Sequence, residues 1–360
     1  MEKRVSNTQF KALIITGVVG VGVLSLPSSI ARIANNDGWI SIVMGGAISA
    51  LLMYLMVSLA QMHPGKVVFE YARELLGNFG FYIFAVIYII YFMMVLAVEV
   101  RVFAEVIKVF LLENTPIEVI IISMLVTSMW IGRYKIEVVA RIALLMYTVL
   151  FIIIIFGVIA VFPQLDFTNI FPLFQTNLKT IIGGVRETFF SYLGIDFVLV
   201  SLAYLEEPKE AMHYSMRAIL SVTILYVFAF VLTISTFGVS ELKRQVWPTI
   251  ALVREVDFPG FFLENIDGII MAAWVLIIYG NIGPTAYNST LVLSNIFKTK
   301  EHGLYVLPLV PIVYFISLFP QNPYEVYKNM LIPNILGFII TIIFPILLFI
   351  LSKIKGRRTK

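Results

Sequence analysis

Two apolar stretches carry the residue types that can do chemistry in this chain. The first reads Ile15-Thr16-Gly17-Val18-Val19-Gly20-Val21-Gly22-Val23-Leu24-Ser25-Leu26-Pro27. A glycine weakens a helix interior by about 1 kcal/mol relative to alanine, and Pro27 removes a helical bond near Gly22–Val23. Such a segment either breaks or lets a neighbouring helix approach closely. If it breaks within lipid, the freed amides must face protein or a water-filled cavity. The amides that open the second half-helix then suit an anionic group such as a carboxylate. The other stretch is Phe189-Phe190-Ser191-Tyr192-Leu193-Gly194-Ile195-Asp196. It sets a serine, a glycine and an acid near the middle of an apolar span. An ionisable side chain at that depth marks function by default, although Asp196 also stands where it would cap an inner half-helix beginning after Gly194. Unwinding here would leave the carbonyls of Phe190, Ser191 and Leu193 for an ammonium or a cation. A third stretch, Tyr279 to Asn288, places Asn281, Thr285 and Asn288 on one helix face. A polar stripe inside lipid lines a water-filled path or bonds to a neighbouring helix.

The elements that must position these groups are membrane helices. Of the 360 residues, 60% are apolar and 13% charged, against about 25% charged in ordinary soluble domains. A water-soluble enzyme is thereby excluded. Ten apolar segments stand out at roughly 9–34, 38–62, 79–111, 117–132, 138–162, 180–204, 213–238, 266–297, 303–320 and 329–352. Their runs are continuous and do not alternate, which excludes an outer-membrane barrel. With the N-terminus inside, the larger share of the 26 Lys and Arg falls in cytoplasmic loops and the C-terminal tail, so both termini are expected in the cytoplasm. Lys3 and Arg4 precede an apolar run, but no small-residue cleavage site follows Leu26-Pro27, and the first helix is expected to be retained. Phe69–Leu76 has helical spacing and is expected at the cytoplasmic interface. Trp247–Phe262 reads as a re-entrant or interfacial cap, or as a plain surface loop.

Other chemistries find little support. Cysteine is absent, and His63, His213 and His302 fall in predicted loops without metal-ligand spacing. No acid pair or nucleophile–base set is visible, so neither an enzyme nor a cofactor site is expected. The net charge of +4 is dispersed among membrane segments, which argues against nucleic acid. Glu99, counted at about 1.5 Å per residue from Phe79, is expected near the outer interface, with Arg101 and Glu105 beyond it as a solvated i, i+4 pair. Arg186 and Glu187 are expected near an outer vestibule, as a gate or as interfacial charges.

The two interrupted segments are the first members of two five-segment halves, about 9–162 and 180–352. An odd number of crossings inverts one half relative to the other, as in secondary transporters with a midplane site between repeats. The expected fold is therefore a single all-α integral membrane domain over 1–360. It would have ten transmembrane helices in two inverted five-helix repeats, with helices 1 and 6 broken. An α-amino acid, with one carboxylate and one ammonium, matches such a pair of breaks.

Gly20–Pro27 (GVGVLSLP) resembles the first-helix signature of the amino acid–polyamine–organocation permease superfamily, and Phe189–Asp196 (FFSYLGID) resembles its sixth-helix signature. The whole chain, with a LeuT-like core and no extra helices, is similar to the endospore germination permease family. That family supplies the B subunits of germinant receptors in the inner spore membrane. By this resemblance Gly20, Val21 and Gly22 would contact a ligand carboxylate, and Phe190, Ser191 and Leu193 its amine or side chain. Gly17, Tyr192 and Gly194 complete the expected ligand-binding set. Asp196, Asn281, Thr285 and Asn288 form the expected water path or ion-linked set. Arg141 joins that set because related proton-coupled permeases place a basic side chain from the fifth helix in the sodium space; otherwise it is an interfacial anchor. The resemblance implies a small germinant such as an amino acid, a bilayer setting, and A and C subunits as partners. The alternative with the same site is a proton- or sodium-coupled amino acid transporter. A channel would favour continuous polar stripes over interrupted helices.

Overall fold

The computed structural model describes residues 5–254 and 266–358. Among these the regular elements are helices, and the only extended pairing is an isolated bridge between Val5 and Leu205. The first span is α1 (Asn7–Val18) and α2 (Gly22–Ala34), separated at Val19–Val21. Ser6 starts α1 with a capping box: its hydroxyl accepts from the Gln9 amide, and the Gln9 side chain accepts from the Ser6 amide. Next come α3 (Gly38–Gln61) and α4 (Val68–Phe110). The expected interfacial helix at 69–76 runs directly into α4 through a kink at Gly77. Then α5 (Ile117–Met129) and α6 (Ile136–Val161) complete the first half.

The second half opens with α7 (Leu178–Phe190). After four turn residues the chain resumes as a tight turn at Ile195–Phe197, α8 (Val198–Ser201) and a further turn to Tyr204. The two parts of this span bend by 49°. Then follow α9 (Ala211–Leu242), kinked at Gly238, a short α10 (Pro248–Arg254) and α11 (Ile266–Phe297). The last elements are α12 (Val306–Leu318), α13 (Pro323–Asn329), α14 (Leu331–Phe338), a π-turn at Ile339–Ile343 and α15 (Phe344–Arg358). Residues 255–262 of the expected 247–262 cap lie outside the described residues.

Among the described residues five helical stretches are long and apolar enough to cross a membrane, or up to seven if each bent pair is one span. Leu51, Phe79, Phe315 and Phe319 are all at least 70% exposed on the outer surface. In water such a surface would drive aggregation; in lipid it is the solvated face. Among the described helices α3 packs against α9, α11 against α6 and α4, and α12 against α4 and α5, while α1 is held among α6, α9 and α11. Small residues bring the helices close. A methyl on Gly45 would meet Thr188, one on Gly46 would meet Thr223, and one on Gly184 would meet Ser41, each within 2.7 Å.

Fastenings close both ends of the bundle. At the end where α1 begins, the Val5 amide donates to Tyr204 O at 3.2 Å and the Glu206 amide donates to Val5 O at 3.0 Å. Asn7 adds a bond to Glu207 at 2.9 Å. On the same face the Lys355 ammonium donates to Glu74 O and Leu75 O, and His63 bonds to Ser352 at 2.8 Å while stacking on Tyr71. At the other end α10 lies across α2. Pro27 lacks the amide that would bond to Val23 O, and the Thr249 hydroxyl donates to that carbonyl instead, at 2.9 Å. Arg32 donates to Lys243 O and Gln245 O, and Trp247 donates to the Tyr327 hydroxyl.

Candidate functional site

The break in the first span lies at Val19–Val21, ahead of the Gly22–Val23 position inferred from Pro27. The proline sits inside α2, with Thr249 repairing its defect, and the glycines mark where the helix opens. The first amides of α2, at Gly22 and Val23, have no intrahelical acceptors, the Leu24 amide donates to Val21 O at 3.1 Å, and Val21 and Gly22 line a cavity. On the other side of the break, Thr16 O and Gly17 O accept from the Asn281 amide nitrogen at 3.0 and 3.2 Å.

The break in the sixth span is a tight turn. The amides of Ser191, Tyr192 and Leu193 donate back to Thr188 O, Phe189 O and Phe190 O, and Gly194 adopts φ 103°. Only glycine enters that conformation freely. A methyl on Gly194 would stand 2.2 Å from Gly17 O, so the two breaks touch backbone to backbone. Tyr226 on α9 fastens them again: its hydroxyl lies 2.8 Å from Ser191 O and 3.2 Å from Val18 O. One phenolic proton serves both carbonyls. The carbonyls of Phe190 and Ser191, expected to be free, are thus already engaged, one by the turn and one by Tyr226. Each retains a second lone pair for a ligand.

Between the breaks lies a cavity of about 160 Å³, room for about five waters at roughly 30 Å³ each. Gly17, Gly20, Val21 and Gly22 line it from the first break, and Phe190, Ser191, Leu193 and Gly194 from the second. Asp196, Asn281 and Thr285 also face it. Three expected residues do not. Tyr192 is fully buried and turned toward α9, where its hydroxyl donates to Thr223 at 2.8 Å and its ring meets Tyr226 edge-on. Asn288 is buried just under one turn beyond Thr285, outside the cavity, with neither side-chain polar atom bonded. Arg141 is exposed in the second turn of α6, away from the cavity, where a long side chain reaches the bundle surface. Asp196 does not cap the inner half-helix, because Gly194 occupies the cap position with no side-chain bond. Instead its Oδ1 is buried without a partner.

Sequence reasoning missed several members of the lining. Glu99 was expected at the outer interface, yet it is buried in the cavity wall with Oε1 2.8 Å from where a methyl on Gly20 would sit. Helical side chains lean toward the N-terminus, so a depth counted along the α4 backbone alone places the carboxylate too far out. Arg101 and Glu105 do pair, at 2.7 Å, but are buried and not solvated, with Arg101 also donating to Ser317 O on α12. Tyr91, Tyr327 and Asn334 join the wall, and Glu187 lies on the rim. The Arg186 guanidinium is 6.0 Å from the Phe190 ring. Among the described residues no His, Asp and Glu cluster could hold a metal ion.

Solved structures share this architecture. MhsT, in complex with L-phenylalanine, superposes with TM-score 0.61 at 12% identity, covering 98% of this chain and 89% of that one. A Na+-coupled sialic acid symporter, in a substrate-bound outward-open state, superposes with TM-score 0.70 at 11% identity, covering 97% and 80%. The chain therefore has the LeuT-like fold of integral membrane transporters. In sequence it is 27% identical to spore germination protein YndE of Bacillus subtilis (strain 168), over 99% of this chain and 98% of that one. It is 28% identical to spore germination protein A2 of the same organism, covering 99% and 97%. Spore germination protein GerQB of Bacillus cereus is 26% identical, covering 99% of each. A family model described as spore germination protein matches residues 4–326, and the chain belongs to that family of multi-pass membrane proteins.

Proposed function

We propose that this chain is the ligand-sensing B subunit of a spore germinant receptor. A small germinant, an amino acid or a similar molecule, binds between the breaks of the first and sixth spans, and the change passes to A and C partner subunits. The observation that carries this reading is the cavity itself: two interrupted helices touch at Gly17 and Gly194 and enclose a recess lined by both. Free amides at the start of α2 suit a carboxylate. A ligand shifts the balance between an open and an occluded form only by binding one of them more tightly, and a recess shared by two half-helices offers such a difference.

In this reading the chain crosses the inner spore membrane ten times, as two inverted repeats over about 9–162 and 180–352. The breaks in the first and sixth spans, at Val19–Val21 and after Phe190, support it. Both termini lie in the cytoplasm. Arg73, Arg133, Lys135, Lys298 and Lys300, drawn from three expected cytoplasmic loops, border one cavity, which agrees with that orientation. The chain senses and does not catalyse.

Gly22→Val tests the site. Ordinary contact with Ser191 at 3.4 Å already limits the space there, and a branched side chain fills the recess. Spores carrying the variant should lose their response to amino acid germinants while the protein stays in the membrane at wild-type level. An unchanged response to every germinant removes the first-span site. A second reading, an amino acid symporter, is favoured by the transporter fold. Uptake of labelled amino acids into liposomes, with and without a proton or sodium gradient, separates the two.

A further inference from the structure

The described side chains of the cavity wall supply carboxylates and no cation. Three of its side chains end in oxygen atoms without a partner: Glu99 Oε2, Asn281 Oδ1 and Asp196 Oδ1. Glu99 is 7% exposed, Asp196 3% and Asn281 2%. A buried acceptor left unmet is costly, and a charged one more so. The orientation of Asn281 is fixed, because its nitrogen donates to two backbone carbonyls that can only accept. Its oxygen is therefore the unmatched end. Glu99 and Asn281 converge on one point, since a methyl on Gly20 would meet Glu99 Oε1 at 2.8 Å and the Asn281 nitrogen at 2.7 Å. The described lining contains Glu99, Asp196 and Glu187 but no Lys, Arg or His.

We propose that these acceptors take a positively charged nitrogen, with Glu99 as its counter-charge, so that the ligand is a primary ammonium compound. The proposal rests on the cavity being a ligand site and names the group that site selects. An ammonium has three donors and no acceptor, which suits the Glu99 and Asn281 groups that meet beside Gly20, with Asp196 Oδ1 a further unmet acceptor in the same lining. A molecule of the same shape without a donor at that position would leave them unmet. The ammonium belongs to the ligand, because a cavity of about 160 Å³ has room for the rest of a small molecule. A free alkali ion is the competing source.

The test uses the full chain in lipid nanodiscs, with equilibrium binding and thermal stability as readouts. The probes are L-alanine and L-leucine, their counterparts without the amino group (propionate and 4-methylpentanoate), and titrations of NaCl and KCl. At least one amino acid should bind the wild type, with the counterpart binding about ten- to a hundredfold more weakly. Glu99→Gln should bring the amino acid down to the level of its counterpart, and Glu99→Asp should keep the preference at several-fold lower affinity. If Glu99→Gln is not recovered folded, equal affinities in Glu99→Asp overturn the proposal. An undiminished preference in Glu99→Gln, alongside lost binding in Gly22→Val, overturns the role of Glu99 and leaves the pocket standing. Binding sensitive to Glu99→Gln but not to Gly22→Val keeps the ammonium recess and removes the first-break site. Stabilisation of the wild type, but not of Glu99→Gln, by Na+ or K+ alone, with amino acid and counterpart equal, assigns the recess to a free ion and overturns the ligand ammonium. No binding by any probe overturns both readings.

Discussion

Replacing Gly194 with alanine tests whether the two interrupted spans are locked together at their breaks. An alanine Cβ there would stand 2.2 Å from Gly17 O and 2.9 Å from Gly17 C, both backbone atoms that cannot rotate away. The residue also holds φ 103°, where an L side chain costs about 1–2 kcal/mol. Overpacking against a fixed backbone adds about 1–3 kcal/mol. Together these give a loss of roughly 2–5 kcal/mol, or roughly 3–7 °C of melting temperature for a chain of this length. Gly183, half a helix earlier on α7, is the control: it is exposed, nothing lies within 4 Å of its methyl position, and alanine there should be neutral or stabilising. Both variants are purified in nanodiscs and melted side by side, and both are scored for germinant response in spores. If Gly194→Ala melts and responds like Gly183→Ala, the contact between the breaks does not exist as described.

Three further outcomes are expected. Tyr226→Phe removes the hydroxyl that bridges Val18 O and Ser191 O and should cost about 1–3 kcal/mol, with a wider distance distribution between spin labels on α2 and α7; an unchanged distribution refutes the bridge. Arg101→Met strands the buried Glu105 carboxylate and should destabilise by about 3–5 kcal/mol, with Glu105→Gln in the same chain restoring part of the loss; a single variant as stable as the wild type refutes the burial. Burial holds the His63 imidazole below its ordinary value of 6.5, with smaller opposing effects of Glu74 and Lys66. The unfolded chain therefore takes up the proton first, and stability present above pH 6.5 falls as the pH drops through the folded value. Melting temperature should decline below pH 6.5 in the wild type and less so in His63→Gln; parallel profiles refute the assignment.

Much of this site was legible because a break in a lipid-facing helix has few chemical causes. Gly17, Gly20 and Gly22 on one side, and Ser191, Gly194 and Asp196 on the other, announce defects that an apolar run otherwise lacks. What could not be read was direction. Tyr192 sits among lining residues in sequence, but the turn rotates it toward Thr223. Asn281, Thr285 and Asn288 share a helix face, yet the cavity ends before Asn288, because a stripe longer than the recess it borders must continue into packed protein. Tyr226 meets the first break from 208 residues away, a distance over which no local pattern carries information. Glu99 escaped for a different reason: depth was counted along one straight axis, whereas its carboxylate reaches back beside Gly20.

The pairing of Val5 with Tyr204 and Glu206 links the start of α1 to the close of the inner half of the sixth span. Both donors are main-chain amides, so substitutions other than proline leave the staple in place. The two inner arms are thereby yoked: a swing of either drags the other, whatever side chains they carry. Family members can drift far apart in residue type at these positions and keep the same mechanical linkage, which makes hydrogen–deuterium exchange at Val5 and Glu206 a gauge of its opening.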